Sequence, residues 1–102
     1  MFIVAVASCP VGIAHTYMAA ANLKKYAEQK GIEIKVETQG ASGIENEITA
    51  EDIARADGAI VASDVKLKNQ GRLDSIPTLS VSVSEAVKDA KSVIEELMEA
   101  LG

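Results

Sequence analysis

Two hydrophobic periods take turns along this chain. Phe2 to Ala7 is an unbroken apolar run, partly β-branched, which predicts a strand covered on both faces. A longer stretch follows, about Ile13 to Lys30, in which Thr16, Ala19, Ala20, Leu23 and Ala27 share one stripe at helical spacing. Its small alanines allow close packing on a sheet, and Gly31 stands where a left-handed C-terminal cap belongs. Ile32, Ile34, Val36 and Thr38 then alternate with Glu33, Lys35 and Glu37, the pattern of a strand with one wet face, hence an edge. Gln39 to Gly43 reads as a loop. Thr49 and Asp52 have the spacing of a capping box, and Ile48 and Ile53 that of a hydrophobic staple, opening a short helix that ends by Asp57-Gly58. Ala59 to Ala62 is again apolar throughout and predicts a central strand. Ser63 to Pro77 is polar and reads as a loop with one helical turn at most. Thr78 to Val83 alternates as an edge strand. Ser82 and Glu85 form a second capping box before one terminal helix, with Ala86, Val87, Ala90, Val93, Ile94, Leu97 and Leu101 as its buried stripe.

Four strands joined by helices imply parallel pairing through right-handed crossovers. Two of them, the first and third, read as central. The expected fold is an α/β, single-domain, three-layer sandwich over residues 1–102. Its four-stranded parallel sheet has the order 2-1-3-4, with helices on both faces in a Rossmann-like arrangement. In such sheets ligands bind beyond the carboxyl ends of the strands, where the chain direction reverses. That point lies just after the first strand, at Ser8-Cys9-Pro10.

Composition narrows the function. A length of 102 residues suits one core and leaves no room for a separate cofactor domain. The 15 acidic residues against 10 basic ones give a net charge of -5, which disfavours nucleic acid. With no Trp, 1 Phe and 2 Tyr, stacking platforms are scarce and the core is aliphatic. No apolar run reaches the roughly 20 residues of a membrane span, and the apolar N-terminus lacks the positive flank of a signal peptide. The single Cys and single His exclude an intrachain disulfide, a Cys-x-x-Cys redox pair and a structural zinc site, so neither metal nor cofactor is expected. A lone Cys in a small acidic domain fits a reducing, cytoplasmic compartment.

Cys9 can be a small buried hydrophobe, but its setting points elsewhere. Pro10, Val11, Gly12, Ile13, Ala14, His15 and Thr16 lead from a strand end into a helix N-terminus. Unpaired N–H groups and the helix dipole there make an anion cradle and favour thiolate over thiol. Gly12 permits a close backbone approach, and Pro10 stiffens the loop without donating. Three chemistries compete. A phosphatase of the Cys-x5-Arg type, related to the low-molecular-weight enzymes, is weakened because His15 stands where the bidentate Arg belongs. Asp64 is its one weak general-acid candidate. Nucleotide binding lacks G-x-G-x-x-G and G-x-x-x-x-G-K-[ST]. A phosphoryl carrier needs amide donors around a thiolate and no general base beside the phosphate.

The run Cys9-Pro10-x-Gly12-Ile13-Ala14-His15-Thr16-x-Met18-Ala19-Ala20 resembles the active loop of the fructose-class IIB component of the bacterial sugar phosphotransferase system. A second block, from Val36-Glu37-Thr38-Gln39-Gly40 through Gly43-Ile44-Glu45-Asn46-Glu47-Ile48-Thr49, is similar to another stretch of that family. The resemblance covers essentially the whole chain. It implies a phosphotransferase in which Cys9 takes phosphate from a phosphohistidine on the IIA component. Cys9 then gives it to fructose or a related hexose held by the membrane-embedded IIC component, which places the domain at the inner face of the membrane. Pro10 to Thr16 become the loop around the phosphocysteine; from their places after the strands, Gln39 and Gly40 either contact a partner at the same rim or simply turn the chain, and Asp64 is a further rim candidate. His15 orients the loop, adds positive charge or simply fills space, and Tyr17 and Met18 form an apolar rim or belong to the core. In Gly71-Arg72-Leu73-Asp74-Ser75-Ile76-Pro77 the chain keeps the family's Arg and changes its neighbours, leaving the sugar open. The charged helix faces favour a monomer.

Overall fold

The computed structural model describes residues 1–8, 13–40, 43–63, 73 and 75–101, with the backbone alone at 13–15 and 40. The elements run β1 (Phe2–Ser8), α1 (Ile13–Gln29), β2 (Glu33–Gly40), β3 (Gly43–Glu45), α2 (Ala50–Arg55), β4 (Gly58–Ser63), β5 (Thr78–Val81), α3 (Val83–Lys88) and α4 (Ala90–Leu101). They form one sheet of order β3-β2-β1-β4-β5. β2, β1, β4 and β5 are mutually parallel, and β3 runs antiparallel to β2.

Side chains of β1 alternate between two apolar layers. Ile3, Ala5 and Ala7 face a cluster with Ala19, Leu23 and Ala27 of α1, Ile60 and Ala62 of β4, and the inner faces of α3 and α4. Phe2, Val4 and Val6 face a smaller cluster with Ile48, Ala59, Val61 and Leu73, to which Ile53 and Ala56 from α2 and its end add. Among the described residues, helices therefore cover both faces, α1, α3 and α4 on one and α2 on the other. The connections from β1 to β2 and from β2 to β4 leave in opposite directions, with α1 and α2 on opposite faces. That makes the carboxyl end of β1 the switch point.

Local signals act as their chemistry demands. Gly31, two residues past the end of α1, has φ +73°, where an L side chain is strained. Thr49 caps α2, accepting from the Asp52 amide while the Asp52 carboxylate accepts from the Thr49 amide. Ile48, at 3% exposure, packs in the same cluster as Ile53, closing the staple. Lys35 Nζ reaches Asp52 Oδ2 at 2.6 Å and ties β2 to α2.

Four expectations are corrected. The sheet has five strands and is mixed rather than four and parallel. The added strand β3 folds back on β2 with Thr38, Gln39 and Gly40 opposite Glu45, Ile44 and Gly43. The strand predicted as an edge with a wet face, β2, is consequently internal, and Glu37 on that face is fully buried because the turn before α2 crosses over it. The single terminal helix is two: Asp89 leaves helical geometry (φ −147°, ψ 51°), and its carboxylate accepts from the Ser92 amide at the start of α4. Within the polar stretch before β5, Leu73 is a core residue, 1% exposed against the Phe2 layer.

Candidate functional site at the carboxyl rim

β1 ends at Ser8 and α1 begins at Ile13, so residues 9–12 join the end of the central strand to the helix N-terminus. Cys9, Pro10, Val11, Gly12 and Asp64 lie outside the described residues. Ile13, Ala14 and His15 form the first turn of α1, and that turn carries no acidic residue to repel an anion.

The register builds the rim at the carboxyl end of β1. Ser8 stands opposite Gln39 on one side and Ser63 on the other. Partners in a parallel sheet share a face, so Gln39, Ser8 and Ser63 form one polar row across three strands. The next row down is Glu37, Val6 and Val61. Ser8 and Gln39 are each 8% exposed. Gln39 donates through Nε2 to Glu37 Oε2 at 2.7 Å, and the Ile48 amide donates to Glu37 Oε1 at 2.8 Å. A buried carboxyl is tolerated because its oxygens are hydrogen-bonded. Gly40 closes β2 opposite Gly43, whose φ of +104° suits glycine at that turn.

Thr16 lies in α1, which packs on the opposite face of the sheet from that polar row. It is 2% exposed, and its Oγ1 finds no hydrogen-bond partner among the described residues. A hydroxyl held so in the second turn of the helix is a donor in reserve. The next residues turn outward: Tyr17 is 42% exposed and Met18 48% exposed. Ile44 of β3 is exposed as well, so apolar surface flanks the rim. The Tyr17 hydroxyl donates to Glu45 Oε2 at 2.9 Å, linking α1 to β3. That bond, with burial and the negative charge of Glu45 behind it, raises the phenol above its ordinary value. Tyr17 and Glu45 line the two walls of a groove of about 340 Å³ that continues past Ala20, Ala21 and Lys24 over Ile34 and Val36.

Of the residues that the sequence singles out, Gln39 and Gly40 end β2 and Thr16 lies in α1. Glu37 and the serines of β1 and β4 are not among them. The available signal was the two-residue period, which puts Glu37 and Gln39 on one face, and a serine ending each central strand. No group of three or more His, Cys, Asp or Glu side chains gathers among the described residues, and no described helix is long and apolar enough to cross a membrane.

Comparison with known proteins adds four findings. The family model described as the lactose/cellobiose-specific IIB subunit of the PTS system matches residues 4–96. The chain is 47% identical over 95 residues to the "PTS system fructose-like EIIB component 2" of Escherichia coli strain K12, covering 93% of this chain and 90% of that protein. The crystal structure of a domain of the fructose-specific IIABC component of the PTS system from Borrelia burgdorferi superposes with a TM-score of 0.91 at 40% identity, over 96% of this chain and 93% of that one. The lactose-specific IIB domain from Streptococcus pneumoniae shares the fold, with a TM-score of 0.54 at 12% identity over 97% and 95% of the two chains.

Proposed function

The chain belongs to the IIB family of the sugar phosphotransferase system, a family of phosphotransferases that carry phosphoryl groups, and from that premise we propose that it is a fructose-class carrier with Cys9 as the phosphorylated residue. In the first step the Cys9 thiolate attacks phosphorus on a phosphohistidine of a IIA component. The S–P bond forms as the P–N bond breaks, and the electron pair returns to the imidazole. In the second step a sugar hydroxyl on the membrane component IIC attacks phosphorus. The S–P bond breaks, the thiolate leaves, and the hydroxyl proton passes to a base on the sugar's side. The domain thereby works at the inner face of the membrane.

The observation that carries this reading is the position of the chain's single thiol, directly after the last residue of the central strand and before the first turn of α1. Amide donors and the dipole of a 17-residue helix favour thiolate and then hold the phosphoryl oxygens. Pro10 to Thr16 form the loop around the phosphoryl group, with the Thr16 hydroxyl as a further donor and Gln39, Gly40 and Asp64 at the rim. His15, in the first turn, adds positive charge or orients the loop. Exposed Tyr17, Met18 and Ile44 offer docking surface to IIA and IIC.

The fructose class rests on the 47% and 40% identities to fructose-type relatives, against 12% to the lactose-specific domain. The deciding experiment incubates the protein with a phosphorylated fructose-class IIA domain, then with IIC vesicles and either fructose or lactose. Sugar phosphate from fructose alone supports the reading. Rapid Cys9-dependent hydrolysis of a chromogenic phosphoester, with no transfer to sugar, overturns it in favour of a phosphatase.

A further inference from the structure

β2 ends at Gly40, β3 pairs back on it over Gly43–Glu45, and the turn before α2 follows. Gln39 lies in β2 and Ile48 in that turn. One side chain holds both: Glu37 accepts from Gln39 Nε2 through Oε2 and from the Ile48 amide through Oε1, at 2.7 and 2.8 Å. Glu37 itself is fully buried in the middle of β2. The far end of β3 reaches α1 through the bond between Glu45 and Tyr17, one residue after Thr16. Gln39 in turn is the register partner of Ser8, the residue before Cys9.

We propose that Glu37 is a positioning residue for phosphoryl transfer: its two oxygens tie Gln39 to Ile48 across the base of β3 and fix the Gln39 amide in the polar row that contains Ser8, the residue before Cys9 in sequence. The inference rests on Cys9 being the phosphoryl acceptor. With Nε2 held by Glu37, the Gln39 carbonyl is turned away from that carboxyl, so a buried group helps to set the orientation of the amide. Glu37→Gln tests the clamp almost isosterically. The new carbonyl must serve the Ile48 amide, which leaves an NH2 facing the NH2 of Gln39. Two donors cannot pair, so the Gln39 amide must turn over or move away.

The experiment follows three readouts in the intact chain: the rate of phosphorylation by a phosphorylated fructose-class IIA domain, the pH profile of Cys9 alkylation by iodoacetamide, and the melting temperature. Glu37→Gln is expected to slow phosphorylation about 10- to 100-fold and to shift the alkylation profile while the cooperative melt is kept. Gln39→Ala is expected to slow it as well, and the double variant to be no slower than Glu37→Gln alone, because one residue acts through the other. Wild-type rates in Glu37→Gln, or single effects that multiply, overturn the inference. Should Glu37→Gln fail to fold, Gln39→Ala decides, and a wild-type rate and profile in it overturn the inference. Cys9→Ser separates the two levels. Normal phosphorylation in Cys9→Ser overturns the Cys9 reading and this inference with it, whereas loss there with no effect of Glu37→Gln overturns this inference alone.

Discussion

The Tyr17 hydroxyl donates to Glu45 Oε2 across 2.9 Å, joining the second turn of α1 to the antiparallel strand β3. Neither residue is buried, so the bond works as a latch over a solvated groove rather than as a core contact. The phenol is expected to ionise above the ordinary value of 10.0, since Glu45 stabilises the protonated form. Ultraviolet titration of a Tyr26→Phe protein isolates Tyr17. Replacing Glu45 with Gln is expected to bring its midpoint back down, and an unchanged midpoint means that the latch does not form in solution.

Thr16 presents the opposite case, a hydroxyl that is buried and unpaired among the described residues. Leaving such a group unsatisfied costs about 1–3 kcal/mol. Thr16→Val keeps the shape and removes the hydroxyl. The expected outcome is a protein up to about 1 kcal/mol more stable to denaturant that accepts phosphate more slowly. A loss of stability would show that the hydroxyl is satisfied in the folded protein, and unchanged transfer would remove it from the phosphoryl site.

The pair Lys35–Asp52 gives the fold an acid-sensitive joint between β2 and α2. Lys35 first, then the Thr49 amide, lowers the Asp52 carboxyl from 3.8 to about 2. A carboxyl lowered on folding stabilises the native state fully above 3.8, and that contribution disappears as pH falls through about 2. Lys35→Met removes the larger cause. It is expected to cost on the order of 1 kcal/mol at pH 7, with wild type and variant converging towards pH 2. A difference in unfolding free energy that does not shrink at low pH refutes this origin.

Much of the frame is legible in the residues themselves. Phe2 to Ala7 and Ala59 to Ala62 are apolar because both faces of those strands are covered. Gly31, Thr49 and Asp52 act within a few residues of themselves, so spacing alone reveals them. What escaped is non-local or unburied. β3 is exposed at all three positions, so no burial pattern marks it; the glycines at 40 and 43 around a two-residue connection were its only signal. Glu37 reads as solvent-facing because its partner Ile48 lies eleven positions away, and only the folded turn covers it. Asp89 divides the last helix with no Gly or Pro beside it, and the cue was its own capping carboxylate. Cys9 is marked by its chemistry, while the polar row of Gln39, Ser8 and Ser63 emerges only once three strands are in register.

The central claim is that the one thiol of the chain carries the phosphoryl group. Intact-mass and peptide mass spectrometry after incubation with a phosphorylated fructose-class IIA domain tests it directly. The account predicts one added phosphoryl group per chain, located on Cys9 and absent from a folded Cys9→Ser protein. A phosphoryl group found on His15, or retained in Cys9→Ser, contradicts it.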